Sequence, residues 1–190
     1  MTLTADEVLA ILRDTGTLRE GHFLLTSGRH SNRFLLLAQA LQHPAQAERL
    51  CRALAEPFQG QRIETVIGPA VGGIILAFEV ARALGARAIF AEKTGDGGMA
   101  LRRGFALRPG ERVLVVEDAV STGGSVSRVI GLVRAAGALP LGASVIADRT
   151  GGRLDLGLPL RALVTLDIPS WSPAECPLCR AGTPLVQPKD

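Results

Sequence analysis

The most informative segment of the chain reads VLVVEDAVSTGGS from Val113 to Ser125. Its β-branched residues predict a strand over 112–116, and this strand runs directly into two acidic residues, Glu117 and Asp118. In open α/β sheets, ligands bind beyond the carboxyl ends of the strands. We therefore expect both carboxylates to lie at a ligand-binding edge.

The residues that follow, Ser121 to Ser125, predict a turn that binds an anion. Its glycines let backbone N–H groups approach a phosphate, and the next helix adds the positive end of its dipole. Two carboxylates beside a bare phosphate would repel it, but they fit a ligand that also offers sugar hydroxyls, or a cation near a diphosphate. The simpler interpretation is a Gly-rich turn with a capping Ser or Thr. The segment has neither the Gly-Lys-Ser/Thr of a P-loop nor the pattern of a dinucleotide site.

The rest of the chain predicts an α/β fold, with a largely parallel central sheet flanked by helices. Apolar strands bounded by turns alternate with amphipathic helices, which is typical of such a sheet. The predicted strands are 65–68, 86–91, 112–116, 141–147 and 162–166, and the predicted helices are 6–14, 44–58, 73–84 and 126–136. Thr4 is a possible cap of the first helix.

Two segments interrupt this alternation. The segment 92–104 contains four glycines together with Lys93, Arg102 and Arg103, and it predicts a mobile basic loop, although an ordinary solvated hairpin is an equal alternative. The Pro-rich tail from residue 169 predicts irregular structure packed on the body. We expect a single domain over 1–190, with a small N-terminal hood (1–42), a core (43–168) and the tail (169–190).

Composition excludes several classes of protein. The 190 residues are 47% hydrophobic and 21% charged, which is typical of a globular domain rather than a disordered or fibrous chain. A net charge of +3 and 4% aromatic residues make nucleic acid a weak candidate partner. No apolar run approaches a membrane span, no signal peptide is recognisable and the three cysteines are too few for a disulfide framework. These features predict a cytoplasmic protein with no nucleic-acid or membrane partner.

The segment 113–125 resembles the signature of the type I phosphoribosyltransferases, which use phosphoribosyl pyrophosphate (PRPP) with Mg²⁺. The resemblance implies that Glu117 and Asp118 contact the ribose hydroxyls and that the turn holds the 5′-phosphate. The implied PRPP-binding residues are Lys93, Glu117, Asp118, Ala119, Val120, Ser121, Thr122, Gly123, Gly124, Ser125, Gly72 and Gly73.

Within that family, the chain is most similar to the members that act on orotate. The segments 21–31 and 68–73 resemble their hood segment and their pyrophosphate loop. The resemblance implies orotate contacts by Ser121, Arg149, Thr26 and Phe34, and it implies catalytic roles for Lys93, Glu117, Asp118, Arg102 and Arg103. It also implies a homodimer, in which the 92–104 loop completes the neighbouring subunit's site. The function that it implies is transfer of the phosphoribosyl group to orotate in UMP biosynthesis.

Three departures from the family pattern keep other functions open. The family's common form has lysines where this chain has Thr26 and Gly72, and its mobile loop is longer and carries a further Lys and a His. The alternatives are a phosphoribosyltransferase for a purine or another pyrimidine, and a non-catalytic regulator that senses PRPP. Arg149 favours an acidic acceptor, because its planar fork suits a carboxylate.

The sequence assigns no metal-ligating residues. His22, His30 and His43 are too far apart to form a recognisable ligand triplet. Cys176 and Cys179 have a zinc-like spacing, but no second pair or nearby His completes four ligands, so a simple structural turn is favoured over a shared metal or a redox pair.

Overall fold

A six-stranded sheet forms the centre of the computed structural model, which describes residues 3–25 and 27–188. In chain order the helices and strands are α1 (Ala5–Asp14), β1 (Leu18–Leu24), β2 (His30–Leu35), α2 (Ala38–Leu41), α3 (Pro44–Ala55), β3 (Thr65–Pro69), α4 (Gly73–Leu84), β4 (Arg87–Lys93), β5 (Met99–Leu101), β6 (Arg112–Val120), α5 (Gly124–Ala135), β7 (Leu139–Asp148), β8 (Leu160–Thr165), β9 (Ser170–Trp171) and α6 (Pro177–Arg180). The order in the large sheet is β5-β4-β3-β6-β7-β8, and only β5 runs antiparallel to its neighbour. The predicted α/β class is confirmed.

Both faces of this sheet are covered by helices, because successive side chains of a strand point to opposite sides. On β6, Leu114 and Val116 pack in the cluster that contains the buried residues of α1, α3 and α4. Val113 and Val115 pack on the other side, with the buried residues of α5. Alternate residues of one strand therefore belong to two separate cores, and this alternation continues into the acidic residues beyond Val116.

The predicted helices are present with small changes at their ends. α1 begins with a capping box, in which Thr4 and Glu7 bond reciprocally, and α4 has the predicted bounds. The helix predicted over 44–58 ends at Ala55, and a 3₁₀ turn, Glu56–Phe58, completes it. Within the described ranges, no helix is long and apolar enough to cross a membrane.

The segment 92–104 forms a hairpin, which is one of the two alternatives that the sequence left open for it. β4 continues to Lys93, and β5 pairs back on it, with Lys93 opposite Met99 and Ala91 opposite Leu101. The turn between them closes with a bond from the Thr94 N–H to the Gly98 carbonyl. The three residues of β5 are too few to give a strand period in the sequence, which explains why the sequence alone did not decide between a mobile loop and a hairpin.

The tail also differs from the prediction, because part of it is regular. Ser170–Trp171 forms β9 and extends the β1-β2 hairpin into a small antiparallel sheet. A short helix, α6, follows, and the backbone of Val186 then bonds with that of His22 and Leu24 on β1. The tail is therefore held mainly by the N-terminal hood.

Candidate functional site

The candidate site lies where the chain leaves the middle of the sheet in two directions. β3 and β6 are parallel neighbours, but β3 leads through α4 to β4 on one side, and β6 leads through α5 to β7 on the other. A crevice forms at such a switch point, beyond the carboxyl ends of the two strands. Both helices begin there without a side-chain cap on their first N–H groups.

The turn after β6 forms a small concave cradle. It is lined by Glu117, Ala119, Val120, Ser121, Thr122, Gly123, Gly124, Ser125 and Val126. Gly123 has a φ of +75°, and a Cβ atom there would lie 2.7 Å from Leu154, so both the backbone and the space require glycine. The prediction of a turn through Ser125 needs one correction, because α5 already begins at Gly124. The first N–H groups of α5 face the cradle, which suits an anion.

Glu117 and Asp118 lie within β6 and not beyond its end, because the strand continues to Val120. Their side chains consequently point to opposite faces of the sheet. Glu117 points to the same face of the sheet as Val115, and it lines the cradle on the side of α5. Asp118 lies on the side of α4, close to Gly72. The two acids therefore flank the crevice.

Both carboxyl groups are less acidic than usual. Burial, reinforced by the neighbouring Asp118, raises the pKa of Glu117 to about 8, against a smaller opposing effect of Lys93. Burial also raises the pKa of Asp118, although the Ala119 N–H donates to its Oδ1 over 2.6 Å. Perturbed acids in a crevice are typical of functional sites.

The loop from Gly68 to Gly73 forms the opposite wall and depends on close backbone contact. A Cβ atom on Gly68 would lie 2.5 Å from the carbonyl oxygen of Gly73. A Cβ atom on Gly73 would in turn lie 2.9 Å from the Gly68 Cα. The loop includes a cis peptide bond between Ala70 and Val71. Gly72 and Gly73 thus place the start of α4 beside Asp118.

A second cavity, of about 560 Å³, opens next to the cradle. Its lining includes three of the residues predicted to bind orotate, namely Phe34, Ser121 and Arg149, together with hood and tail residues. The Nε atom of Arg149 is buried and has no hydrogen-bond partner among the described residues. Burial lowers the pKa of Arg149, although an arginine stays protonated at neutral pH. Thr26, the fourth predicted residue, lies outside the described residues.

The three predicted cations of the β4-β5 hairpin differ in their surroundings. Lys93, at the end of β4, is close enough to Glu117 to lower its pKa. Arg103 instead turns back on the hairpin, where its Nε donates to Glu92 over 2.9 Å and its guanidinium lies 5.8 Å from the centre of the Phe90 ring. Arg102 is exposed. The structure therefore brings Lys93, but not Arg103, towards the acids.

Comparison with known proteins assigns the family. Residues 38–158 match the model of the phosphoribosyl transferase domain. The chain is also 54% identical over 186 residues to the orotate phosphoribosyltransferase of Pelotomaculum thermopropionicum, and the match covers 98% of this chain and 97% of that protein. The chain belongs to the orotate phosphoribosyltransferase family.

Solved structures of this family and of a related one share the fold. The orotate phosphoribosyltransferase of Aeropyrum pernix superposes with a TM-score of 0.70 at 27% identity, covering 84% of this chain and 93% of that one. An adenine phosphoribosyltransferase from Rhodothermus marinus reaches 0.67 at 25% identity, covering 83% and 99%. Because the scores are nearly equal, the fold alone does not distinguish an orotate acceptor from an adenine acceptor.

Sequence reasoning missed two features near this site. Gln187 and Pro188, in the tail, line the second cavity beside Ser27 and Gly28 of the hood. His22 and His30 lie against the two tail cysteines, which corrects the expectation that no His is near that pair. Both features depend on pairing between the two ends of the chain, and no local sequence signal reports it.

Proposed function

We propose that this protein transfers the 5-phosphoribosyl group of PRPP to orotate. The bond from ribose C1 to the diphosphate oxygen breaks, a bond from C1 to a ring nitrogen of orotate forms, and the nitrogen's proton is released. The products are orotidine 5′-monophosphate and pyrophosphate, as UMP biosynthesis requires. The 54% identity to an orotate phosphoribosyltransferase, over 98% of this chain, supports this assignment.

The observation that carries the choice of acceptor is the unpartnered, buried Nε of Arg149. A buried donor without a partner costs free energy, so its presence favours a ligand that completes it. The guanidinium can meet a carboxylate through two parallel bonds, and orotate carries a carboxylate on a planar ring. Phe34 and Ser121 supply an apolar surface and a hydroxyl in the same cavity. A purine base offers no such anion.

The cradle and the two acids suit the donor. The N–H groups at the start of α5 can bind the 5′-phosphate, and those at the start of α4 can bind the diphosphate. Glu117 and Asp118 flank the space between them and can accept bonds from ribose hydroxyls when ionised. Positioning and charge stabilisation, rather than a protein nucleophile, then account for catalysis.

The donor set also fits Mg²⁺, which prefers oxygen ligands and keeps several waters. Two carboxylates with raised pKa values, those of the buried Glu117 and the half-buried Asp118, lie beside the proposed place for a diphosphate, and a divalent cation there would favour their ionised forms. When bound, Mg²⁺ would neutralise charge on the diphosphate and ribose oxygens. Lys93 would add a positive charge on the same side, where negative charge develops on the leaving group.

The experiment that tests this function follows orotate absorbance with purified protein, Mg²⁺ and PRPP. Adenine, guanine, xanthine and uracil are assayed in parallel. We expect turnover with orotate, a loss of at least 10²-fold in Asp118→Asn, and wild-type turnover in Asp155→Asn, which changes an exposed acid. Turnover of another base without orotate would disprove the acceptor, and inactivity with every base would disprove the enzyme.

We also infer that the protein is a homodimer that uses one face of α4. Val71, Ile75 and Phe78 are exposed by 83%, 45% and 62% and recur at helical spacing next to Gly72. A second copy that covers this face would lie beside the crevice, so that its 92–104 hairpin can complete the site. We expect Phe78→Glu to give a monomer in light scattering, and Leu139→Glu, which changes another exposed apolar residue, to remain dimeric. A monomeric wild-type protein would disprove this arrangement.

The location that fits this function is the cytoplasm. None of the three cysteines, all of which lie in the described part of the chain, forms a disulfide, and Cys179 is exposed. A reducing compartment preserves such thiols. Fluorescence of a tagged protein in the source cells tests this location, and a secreted or membrane-bound signal would contradict it.

A further inference from the structure

Four potential metal ligands meet on the side of the hood that faces the tail. His22 lies on β1 and His30 on β2, whereas Cys176 precedes α6 and Cys179 lies within it. One ligand atom from each residue lies within 4.8 Å of all the others. His22, His30 and Cys176 are buried, and Cys179 is exposed at the rim. None of these residues lines the proposed substrate cavities.

The separations of these atoms correspond to the edges of a tetrahedron around a zinc ion. Zinc bonds of about 2.0–2.1 Å to nitrogen and about 2.3 Å to sulfur give edges of roughly 3.3 Å for two nitrogens and 3.6 Å for nitrogen and sulfur. The His22 Nε2 to His30 Nδ1 distance is 3.0 Å. Cys176 Sγ lies 3.4 Å from His22 Nε2, and Cys179 Sγ lies 3.7 Å from the same atom and 3.2 Å from His30 Nδ1. A small expansion of the cluster admits the ion.

The hydrogen bond on the far side of the His22 ring orients the ring for metal binding. His22 Nδ1 lies 2.8 Å from the carbonyl oxygen of Thr183, so Nδ1 carries the proton and donates it. The lone pair of Nε2 then points into the cluster, towards His30 and both sulfurs. A backbone carbonyl behind a ligating histidine is the usual outer partner of a metal site.

We propose that His22, His30, Cys176 and Cys179 bind a structural zinc ion. Two thiolates balance the charge of Zn²⁺, so the buried complex is neutral and its burial costs little. Four protein ligands leave no open position for a water or substrate, which is the mark of a structural rather than a catalytic site. Sulfur and imidazole in tetrahedral arrangement favour zinc over Mg²⁺, which takes oxygen ligands.

The ion would join the two ends of the chain beside the acceptor cavity. β1 and β2 lead into the hood residues Ser27 and Gly28, and the tail beyond Cys179 leads to Gln187 and Pro188, which line the same cavity. Backbone hydrogen bonds already join the hood and the tail at two places. Val186 bonds with β1, and β9 pairs over a short length with β2. Zinc would add a crosslink of much greater strength. The rival role for this cysteine pair is a redox-active disulfide.

The direct test measures metal in protein purified under reducing conditions without an affinity tag that binds metal. We expect about one zinc per chain by elemental mass spectrometry. After removal of zinc and addition of Co²⁺ alone, we expect the visible absorption of tetrahedral cobalt and a thiolate-to-cobalt charge-transfer band. Failure of the reduced wild-type protein to bind either ion would overturn the proposal, as would a Cys176–Cys179 disulfide that forms in the presence of zinc.

Variants and proteolysis separate metal binding from simple packing. Cys176→Ser and Cys179→Ser should lose the cobalt spectrum, whereas Cys51→Ala and His43→Ala, which change a cysteine and a histidine outside the cluster, should retain it. In the wild-type protein, removal of zinc should lower Tm and speed tryptic cleavage after Arg180, an exposed residue next to Cys179, by at least several-fold. Cleavage that is equally fast with and without zinc would disprove the crosslinking role.

Discussion

Asp118 Oδ2 lies 2.7 Å from the point that a Cβ atom on Gly72 would occupy. The carboxylate therefore fills the space that a side chain at position 72 would need. This contact gives a physical meaning to one departure from the family pattern, because a lysine at position 72 would require Asp118 to rotate. The atom that a side chain at position 72 would meet is the end of the Asp118 side chain and not backbone. A substitution at position 72 should therefore move the carboxylate and leave the fold intact.

Gly72→Ala should therefore impair the enzyme while leaving it folded. The new methyl group displaces the Asp118 carboxylate from the position that we propose for contact with the ribose, and we expect kcat/KM to fall by about 10- to 100-fold, since small displacements of positioning groups have effects of that size. Steady-state assays with orotate and PRPP give this ratio, and thermal unfolding should show Tm within a few degrees of wild type.

A glycine without neighbours provides the control for that variant. Gly131, within α5, has no atom within 4 Å of its hypothetical Cβ apart from its chain neighbours and the nearby backbone of its own helix. Gly131→Ala should retain full activity and gain about 0.5–1 kcal/mol in the free energy of unfolding, because alanine favours helix. Full activity in Gly72→Ala would show that Asp118 does not act from the observed position.

Arg149 should determine the affinity for orotate and not for the donor. Arg149→Lys keeps the charge but loses the planar fork, so we expect KM for orotate to rise by roughly 10- to 100-fold, as for the loss of a charge-assisted hydrogen bond. KM for PRPP should change by less than about 3-fold, and Arg153→Lys, at an exposed position, should change neither constant. Equal increases in both KM values would show that Arg149 does not act selectively on orotate.

The sequence was sufficient to predict the fold class and the residues of the cradle, because both depend on local patterns. A buried strand, two acids and a glycine-rich turn are contiguous from Val113 to Ser125, and alternation assigned most helices and strands. The sequence could not report contacts between distant segments. Two such contacts form only when the strands and the tail pair. One is between Asp118 and the space beside Gly72, and the other is between the histidines His22 and His30 and the tail cysteines. The choice between a loop and a hairpin over 92–104 stayed open, because the three residues of β5 carry too short a pattern.

Lys93 and Arg103 should differ in their importance, although the sequence favoured both as catalytic cations. Lys93 acts on the charge of Glu117, whereas Arg103 is bound by Glu92 and Phe90. We expect Lys93→Ala to lower kcat by about 10²- to 10³-fold, as for the loss of a preorganised group that stabilises developing charge. Arg103→Ala should lower kcat by less than about 3-fold. The reverse order, measured with saturating orotate and PRPP, would mean that the hairpin rearranges on substrate binding.

Glu111 should make the stability of the protein depend on pH in the acid range. Glu111 is 3% exposed, and burial by itself would raise the pKa of its carboxyl group. Hydrogen bonds from the Thr65 hydroxyl, the Arg108 N–H and the Arg87 guanidinium outweigh this effect and hold the pKa at about 2, against 4.5 in the unfolded chain. The ionised group therefore stabilises the fold fully above pH 4.5, and this contribution is lost as the pH falls towards 2.

Glu111→Gln should remove this dependence, because glutamine does not ionise. We expect the variant to lose about 1–3 kcal/mol in the free energy of unfolding at pH 7, and to differ less from wild type at each step down towards pH 2. Urea titrations over this range measure the difference. Glu48→Gln, which alters an exposed ion pair with Arg52, should cost at most about 1 kcal/mol at pH 7. If the curves for Glu111→Gln and wild type stayed parallel down to pH 2, the pKa of Glu111 would be the same in the folded and the unfolded chain, and these hydrogen bonds would not outweigh burial.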